Sequence, residues 1–169
     1  MIRLQREPGE SLKIRGFVLM ELWDPNGKLL RRDEGENLIV DEGIDFILDT
    51  ALSGSTQDTT FFVGLKDTGT PLAAWTLASG PTEITAIYSG NRPAWTENNT
   101  ADDQEVSNSA SPASFAITGT DTVFGAFLAT VDTGTAGTLI GAKDFTGGSQ
   151  AVNNLDTLNV TYTITGSSS

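Results

Sequence analysis

The sequence predicts an all-β protein, a β-sandwich or jelly-roll-like domain with one short amphipathic helix and an N-terminal arm. Three observations carry that prediction. Leu158, Val160, Tyr162 and Ile164 alternate with Asn159, Thr161 and Thr163, the period-two signature of a strand with one wet and one dry face. Further short alternating runs fill the second half, separated by Thr, Gly, Ser and Asn, as in sandwiches and barrels. Only one stretch, 41–53, repeats its apolar residues at helical spacing.

The elements follow in chain order. Residues 1–12, with Pro8 and Gly9 ahead of the first long run, read as an arm, and 13–165 as a single domain. Leu12, Ile14, Val18, Met20 and Leu22 share one parity, interrupted by Gly16, while Phe17, Leu19 and Trp23 take the other. A strand apolar on both faces near its middle belongs in a central or covered position. Asp24-Pro25-Asn26-Gly27 is a turn, because Pro presets φ and Asn-Gly accepts positive φ, and 29–32 pairs back as the second arm of a hairpin. Asp33-Glu34-Gly35-Glu36 breaks the pattern and reads as a solvated turn. In the helix, Ile44, Ile47, Leu48, Ala51 and Leu52 form one stripe that is expected to lie on the sheet. Asp41 is the expected N-cap, Glu42 and Asp45 suit the positive end of the helix dipole, and Gly54 suits a left-handed stop.

Candidate strands then fall at 60–66, 83–88, 113–118, 121–132, 138–142 and 157–165. The run 123–131 is apolar on both parities and predicts an inner strand, covered by the other sheet plus the helix or by a neighbouring subunit, with Gly125 admitting a bulky neighbour. The stretches 67–80 and 92–112 are long for hairpin loops and read as binding surfaces or disordered segments. Residues 166–169 read as a flexible tail.

The chain has 169 residues, enough for one domain with a sizeable core, and no His or Cys. That composition excludes Ser-His-acid and Cys-His catalysis and a three-His zinc site. Ten Lys plus Arg against 22 Asp plus Glu give a net charge of −12, which works against nonspecific binding to nucleic acid or anionic lipid. Residues 1–50 carry seven of the basic and eleven of the acidic side chains. No segment nears the roughly 20 apolar residues of a membrane span, and the N-terminus has no apolar core of signal-peptide length, so synthesis in the cytoplasm is expected.

Candidate site residues are few. Asp102, Asp103 and Glu105 form the densest late acidic cluster, in a polar loop where solvation is the plain reading; they lack the ordered acid spacing of an EF-hand. Two carboxylates would suffice for glycoside hydrolysis, but no pair marks itself out. The glycines between strands match no phosphate-binding loop, and the sequons Asn98-Asn99-Thr100 and Asn159-Val160-Thr161 read as chance matches. Trp75, Tyr88 and Trp95 are open to two readings, a platform for a sugar ring or burial at the ends of the sandwich and in a subunit contact. No cofactor or metal is expected.

Several stretches together resemble a group of tailed-bacteriophage virion proteins. They are Phe61-Phe62-Val63-Gly64-Leu65-Lys66-Asp67, Ala74-Trp75-Thr76-Leu77-Ala78-Ser79, Thr82-Glu83-Ile84, Tyr88 and Arg92-Pro93-Ala94-Trp95. Residues 106–115, Gly125-Ala126-Phe127-Leu128, Gly137-Thr138-Leu139 and 156–163 continue the likeness in the same order, and 37–45 resembles the region that leads into it. The resemblance implies a non-enzymatic component of a phage particle, such as the homotrimeric decoration, or cement, proteins clamped over the major capsid lattice. Its partners would then be the major capsid protein and copies of itself, and its place the capsid surface of the virion after synthesis in the host cytoplasm. Ile2, Arg3, Leu4 and Arg6 would belong to the capsid-docking arm. Two other classes compete: a tail-associated, receptor- or glycan-binding module with Trp75, Tyr88 and Trp95 on its rim, and a polysaccharide-degrading enzyme.

Overall fold

The computed structural model describes residues 12–58, 60–100 and 104–168, with 99 and 100 described by backbone alone. The chain runs through β1 (Leu12–Trp23), β2 (Leu29–Ile39), α1 (Asp41–Leu48) with a π-helical turn at Asp49–Ser53, β3 (Phe61–Thr68), β4 (Thr82–Glu83), β5 (Ala94–Trp95) and β6 (Asn98–Thr100). It continues through β7 (Glu105–Ser107), β8 (Ala113–Ala116), β9 (Asp121–Val123), β10 (Gly125–Ala129), β11 (Leu139–Asp144), β12 (Gln150–Val152) and β13 (Thr157–Ser168). The protein is therefore all-β with one short helix. No described helix is long and apolar enough to cross a membrane.

Eleven strands form one antiparallel sheet along the path β4-β3-β10-β11-β2-β1-β13-β7-β6, with β5 added to β3 and β8 to β13. β2 makes the bend. Its residues 29–37 pair with β1, whereas Leu38 and Ile39 pair with Gly141 and Ala142 of β11. A strand that passes from one layer to the other turns a single sheet into two packed layers. The curl is stitched on the far side by an isolated bridge between Tyr88 and Ile117 and by the bond from Thr118 N to Ile87 O. β9 and β12 form a separate two-stranded ribbon.

The main core lies inside the curl. Val18, Met20 and Leu22 of β1 and Leu158, Val160 and Tyr162 of β13 meet Val63, Leu65, Ala126 and Leu128 of the other layer, all within 2% of complete burial. A second, smaller core covers the opposite face of β10, where Phe127 and Ala129 pack with Leu139, Leu77 and Val40. Both faces of β10 are thus buried, as its two-parity apolar pattern predicts. The second cover comes from the stretch 67–80, which carries Trp75 and Leu77 onto the sheet and is not the free binding loop its length suggests. Gly64 lets Phe127 lie across β3: a Cβ there would fall 2.1 Å from the ring. Asn108 extends the ladder of β13 with its side chain, accepting from Tyr162 N at 2.7 Å and donating to Val160 O at 3.1 Å.

Several expectations are corrected. Residues 33–36 belong to β2 and are no turn, because Asp33 has buried partners that compensate its charge. The stretch 92–112 carries β5, β6 and β7. Of the expected strand at 83–88 only Glu83 lies in a strand, and 121–132 is split at Phe124 into β9 and β10. Residues 166–168 are paired with 12–14 and form the end of β13, so neither Leu12 nor 166–168 fits the arm and tail expected of them. Residues 1–11 and Ser169 lie outside the described residues.

The helix is also seated differently. Val40, not Asp41, occupies the N-cap, without a side-chain bond. Its approach to the sheet is made by Gly43, whose Cβ, were it present, would lie 2.3 Å from Ile140 O. That contact divides the expected stripe: Ile44 and Ile47 are half-buried, whereas Leu48 and Leu52 are 38% and 80% exposed, and Gly43 is the one fully buried residue of α1. Glu42 fastens the first turn, its Oε2 accepting from Leu77 N at 3.0 Å and Leu139 N at 2.7 Å.

Candidate functional site

Charge is divided sharply along the chain. Residues 1–40 hold seven basic and seven acidic side chains, so the whole net charge of −12 belongs to 41–169, with three basic and fifteen acidic ones. Those three cations are all buried. Lys143 Nζ donates to Asp33 Oδ1 at 3.0 Å, Asp144 O at 2.7 Å and Thr146 Oγ1 at 3.3 Å. Lys66 donates to the carbonyls of Thr68 and Gly69 and pairs with Asp144 Oδ1 at 2.6 Å. Arg92 grips Glu83 through Nε at 2.8 Å and Nη2 at 2.7 Å, and also donates to Val131 O and Gly134 O at 2.8 Å while lying over the Phe127 ring. Buried charges with this degree of hydrogen bonding act as braces between strands and loops. Burial opposes ionisation of Asp33, but bonds from Thr146 N and Lys143 outweigh it and hold the carboxyl below its ordinary range.

The aromatic residues singled out in the sequence do not form a surface platform. Trp95 is 5% exposed and enters the main core, donating from Nε1 to Tyr162 O at 2.8 Å and meeting Phe61 edge-on. Tyr88 is 7% exposed, packs edge-on against Phe115 and donates to Glu83 Oε1 at 3.2 Å. Burial and the Glu83 carboxylate push its hydroxyl well above the ordinary tyrosine value, so it remains a donor. Trp75 packs by Gly69 and Gly80 with Lys66 over its ring. Tyr88 and Trp95 are thus buried and Trp75 half-buried. Ile2, Arg3, Leu4 and Arg6, and with them Asp102 and Asp103, lie outside the described residues.

What the described surface does present is an open strand edge, a polar cleft and an apolar groove. β13 pairs with β1 along its whole length, from Leu12↔Ser168 to Trp23↔Thr157, whereas pairing of β1 with β2 starts only at Gly16↔Asn37. Leu12 to Arg15 therefore have a strand partner on one side alone among the described residues. A cleft of about 390 Å³ lies across the outer face of β7, β13, β1 and β2, lined by Glu105, Thr163, Thr165, Arg15, Phe17 and Glu36. A second, wholly apolar groove of about 250 Å³ lies between α1 and the strands, lined by Phe46, Ile47, Phe61, Val106 and Ile164. Neither the open edge nor the exposure of Leu48 and Leu52 was foreseen from the sequence; the one signal was Gly43 inside the helical repeat.

No protein-family model, no curated protein and no solved structure matches this chain.

Proposed function

We propose that the chain is a non-enzymatic structural protein of a phage particle, a homotrimeric decoration protein that binds the assembled major capsid lattice. The observation that carries this reading is the open edge of β1 at Leu12 to Arg15, which leads directly into the segment 1–11. An edge with unpaired backbone groups adds an extended strand from a neighbour, and main-chain bonds supply the affinity. The resemblance of 37–165 to phage virion proteins names the class of neighbour. The braces at Lys66, Arg92 and Lys143 support it too, since they tie up the buried ionic groups in holding strands together. A protein that binds the assembled lattice and not its free subunits stabilises the shell by linkage. Burial of Trp95 and Tyr88 leaves the glycan-binding alternative without the exposed rings on which it stood.

Immunogold labelling of purified virions with an antibody against this chain tests the reading. Gold over the head is expected; gold confined to the tail, or none on intact particles, overturns it. A variant lacking residues 1–10 should bind capsids at least about tenfold more weakly than the full chain in co-sedimentation. Equal binding would remove the arm from the account.

A further inference from the structure

The apolar groove beside α1 is lined from both layers of the fold. Phe61 of β3 comes from one layer, Val106 of β7 and Ile164 of β13 from the other, and Phe46 and Ile47 from the helix. Its apolar surface continues along the sheet. Val106 pairs with Ile164, Ile164 with Gly16, and Gly166 with Ile14, so Val106, Ile164, Ile14 and Leu12 share the face that carries Val18 and Tyr162 into the core. Val106 is 41% and Leu12 68% exposed, so the core face of this layer runs on past its cover. A second groove, of about 360 Å³, shares Phe46, Ile47 and Phe61 with the first and adds Ala51 and Asp58.

We infer that this groove is the seat of residues 1–6 of the same chain, with Ile2 and Leu4 entering it. Two observations select the occupant. The first is where the described chain starts. Leu12 ends the exposed strip, four residues along β1 from the level of Ile164, a distance of about 13 Å. The five residues 7–11 span up to about 17 Å, so they can bring 1–6 to the groove of their own molecule, and so short a tether gives an effective concentration that a separate molecule does not match. The second is charge. Residues 1–6 carry Arg3 and Arg6 and no acid, whereas Asp58 lines the second groove and Asp49 follows Phe46 by three residues on the helix side. Both acids are exposed and neither is in an ion pair among the described residues. The three cations of 41–169 are buried elsewhere, so a basic, apolar segment is the complement of this region. The inference goes beyond the capsid reading and does not rest on it; a lattice that takes the arm must offer it more than the groove does.

Trypsin digestion of the full chain, followed by mass spectrometry, tests it, because Arg3 and Arg6 are cleavage sites inside the segment. The wild type is expected to lose residues 1–6 at least about tenfold more slowly than the variant Ile2→Ser with Leu4→Ser, while synthetic peptides of residues 1–11 with and without these substitutions are cut alike. Val106→Asp, in the groove wall, should free the segment to the same extent and leave the rest of the chain resistant. The Ile2/Leu4 variant, altered only ahead of the first strand, keeps the test decisive if Val106→Asp unfolds the domain. Asp49→Lys with Asp58→Lys should speed cleavage about threefold. Cleavage of the wild type as fast as the peptide overturns the inference. Protection that survives Val106→Asp in a folded chain places the segment off the groove and overturns it equally. Protection that fades on dilution from about 100 µM to about 1 µM gives the groove to the arm of a second copy and overturns a seat within one chain. Because no capsid enters the measurement, the outcome stands apart from that of the virion labelling.

Discussion

Asp33 shows how one side chain joins distant parts of the chain. Its carboxylate accepts from Lys143 Nζ and from Thr146 N, and Arg31 pairs with it at 3.4 Å. Asp33→Ala leaves the Lys143 ammonium buried without a counter-charge, and chemical denaturation should register a loss of about 3–5 kcal/mol. The acid limb of stability also follows from this group. Its folded pKa is depressed below the ordinary Asp value of 3.8, so its contribution is complete above that value and is lost as pH falls through the lower, folded one. Denaturation midpoints of the wild type should therefore drop as pH falls below about 4, and the Asp33→Ala variant should show a shallower drop. Asp24, held down by bonds from the Lys28 and Asn26 amides in the hairpin turn, adds to the same limb. Leu155 is the converse case, a 67% exposed Leu at φ 74°. A left-handed backbone with a Cβ costs about 1–2 kcal/mol, so Leu155→Gly should raise stability by roughly 1 kcal/mol once the greater chain entropy of Gly is offset.

At the scale of elements, the helix is held by the close approach at Gly43 and by Phe46 packed on the core, and not by Leu48 and Leu52. Gly43→Ala would press a methyl group into the Ile140 carbonyl, and overpacking of this kind typically costs about 1–3 kcal/mol. Leu52→Ser removes a side chain with little buried area and should change monomer stability by no more than about 0.5 kcal/mol. Equal losses for the two variants in urea titrations would mean that the stripe is core after all. β2 illustrates the same dependence on surroundings. Its segment 33–36 has the composition of a turn, yet pairing with β1 and the buried Lys143 keep it extended.

At the scale of the molecule, two cores on either side of β10 make that strand the most protected. Amide exchange should be slowest at Gly125–Ala129, which is buried throughout, and faster at the β13 end near Gly166, where the burial pattern opens to solvent. The reverse order would place the stable centre elsewhere. Much of this architecture was written in local patterns. Alternation in 157–165 determined a strand with one dry face, the two-parity run 123–131 determined an inner strand, and Pro25-Asn26-Gly27 determined the hairpin, because each depends on period-two geometry or on φ preferences of a few adjacent residues. The absence of His and Cys likewise bounded the chemistry before any fold was known. Only the tertiary structure decided which charges are buried, that 67–80 covers β10, that Trp95 and Tyr88 face inward, and that the helix turns its leucines outward. Each of those outcomes depends on a partner far along the chain, as with Asp33 and Lys143 or Gly43 and Ile140, and the free energy of such a pairing is set by the desolvation and packing of both partners together.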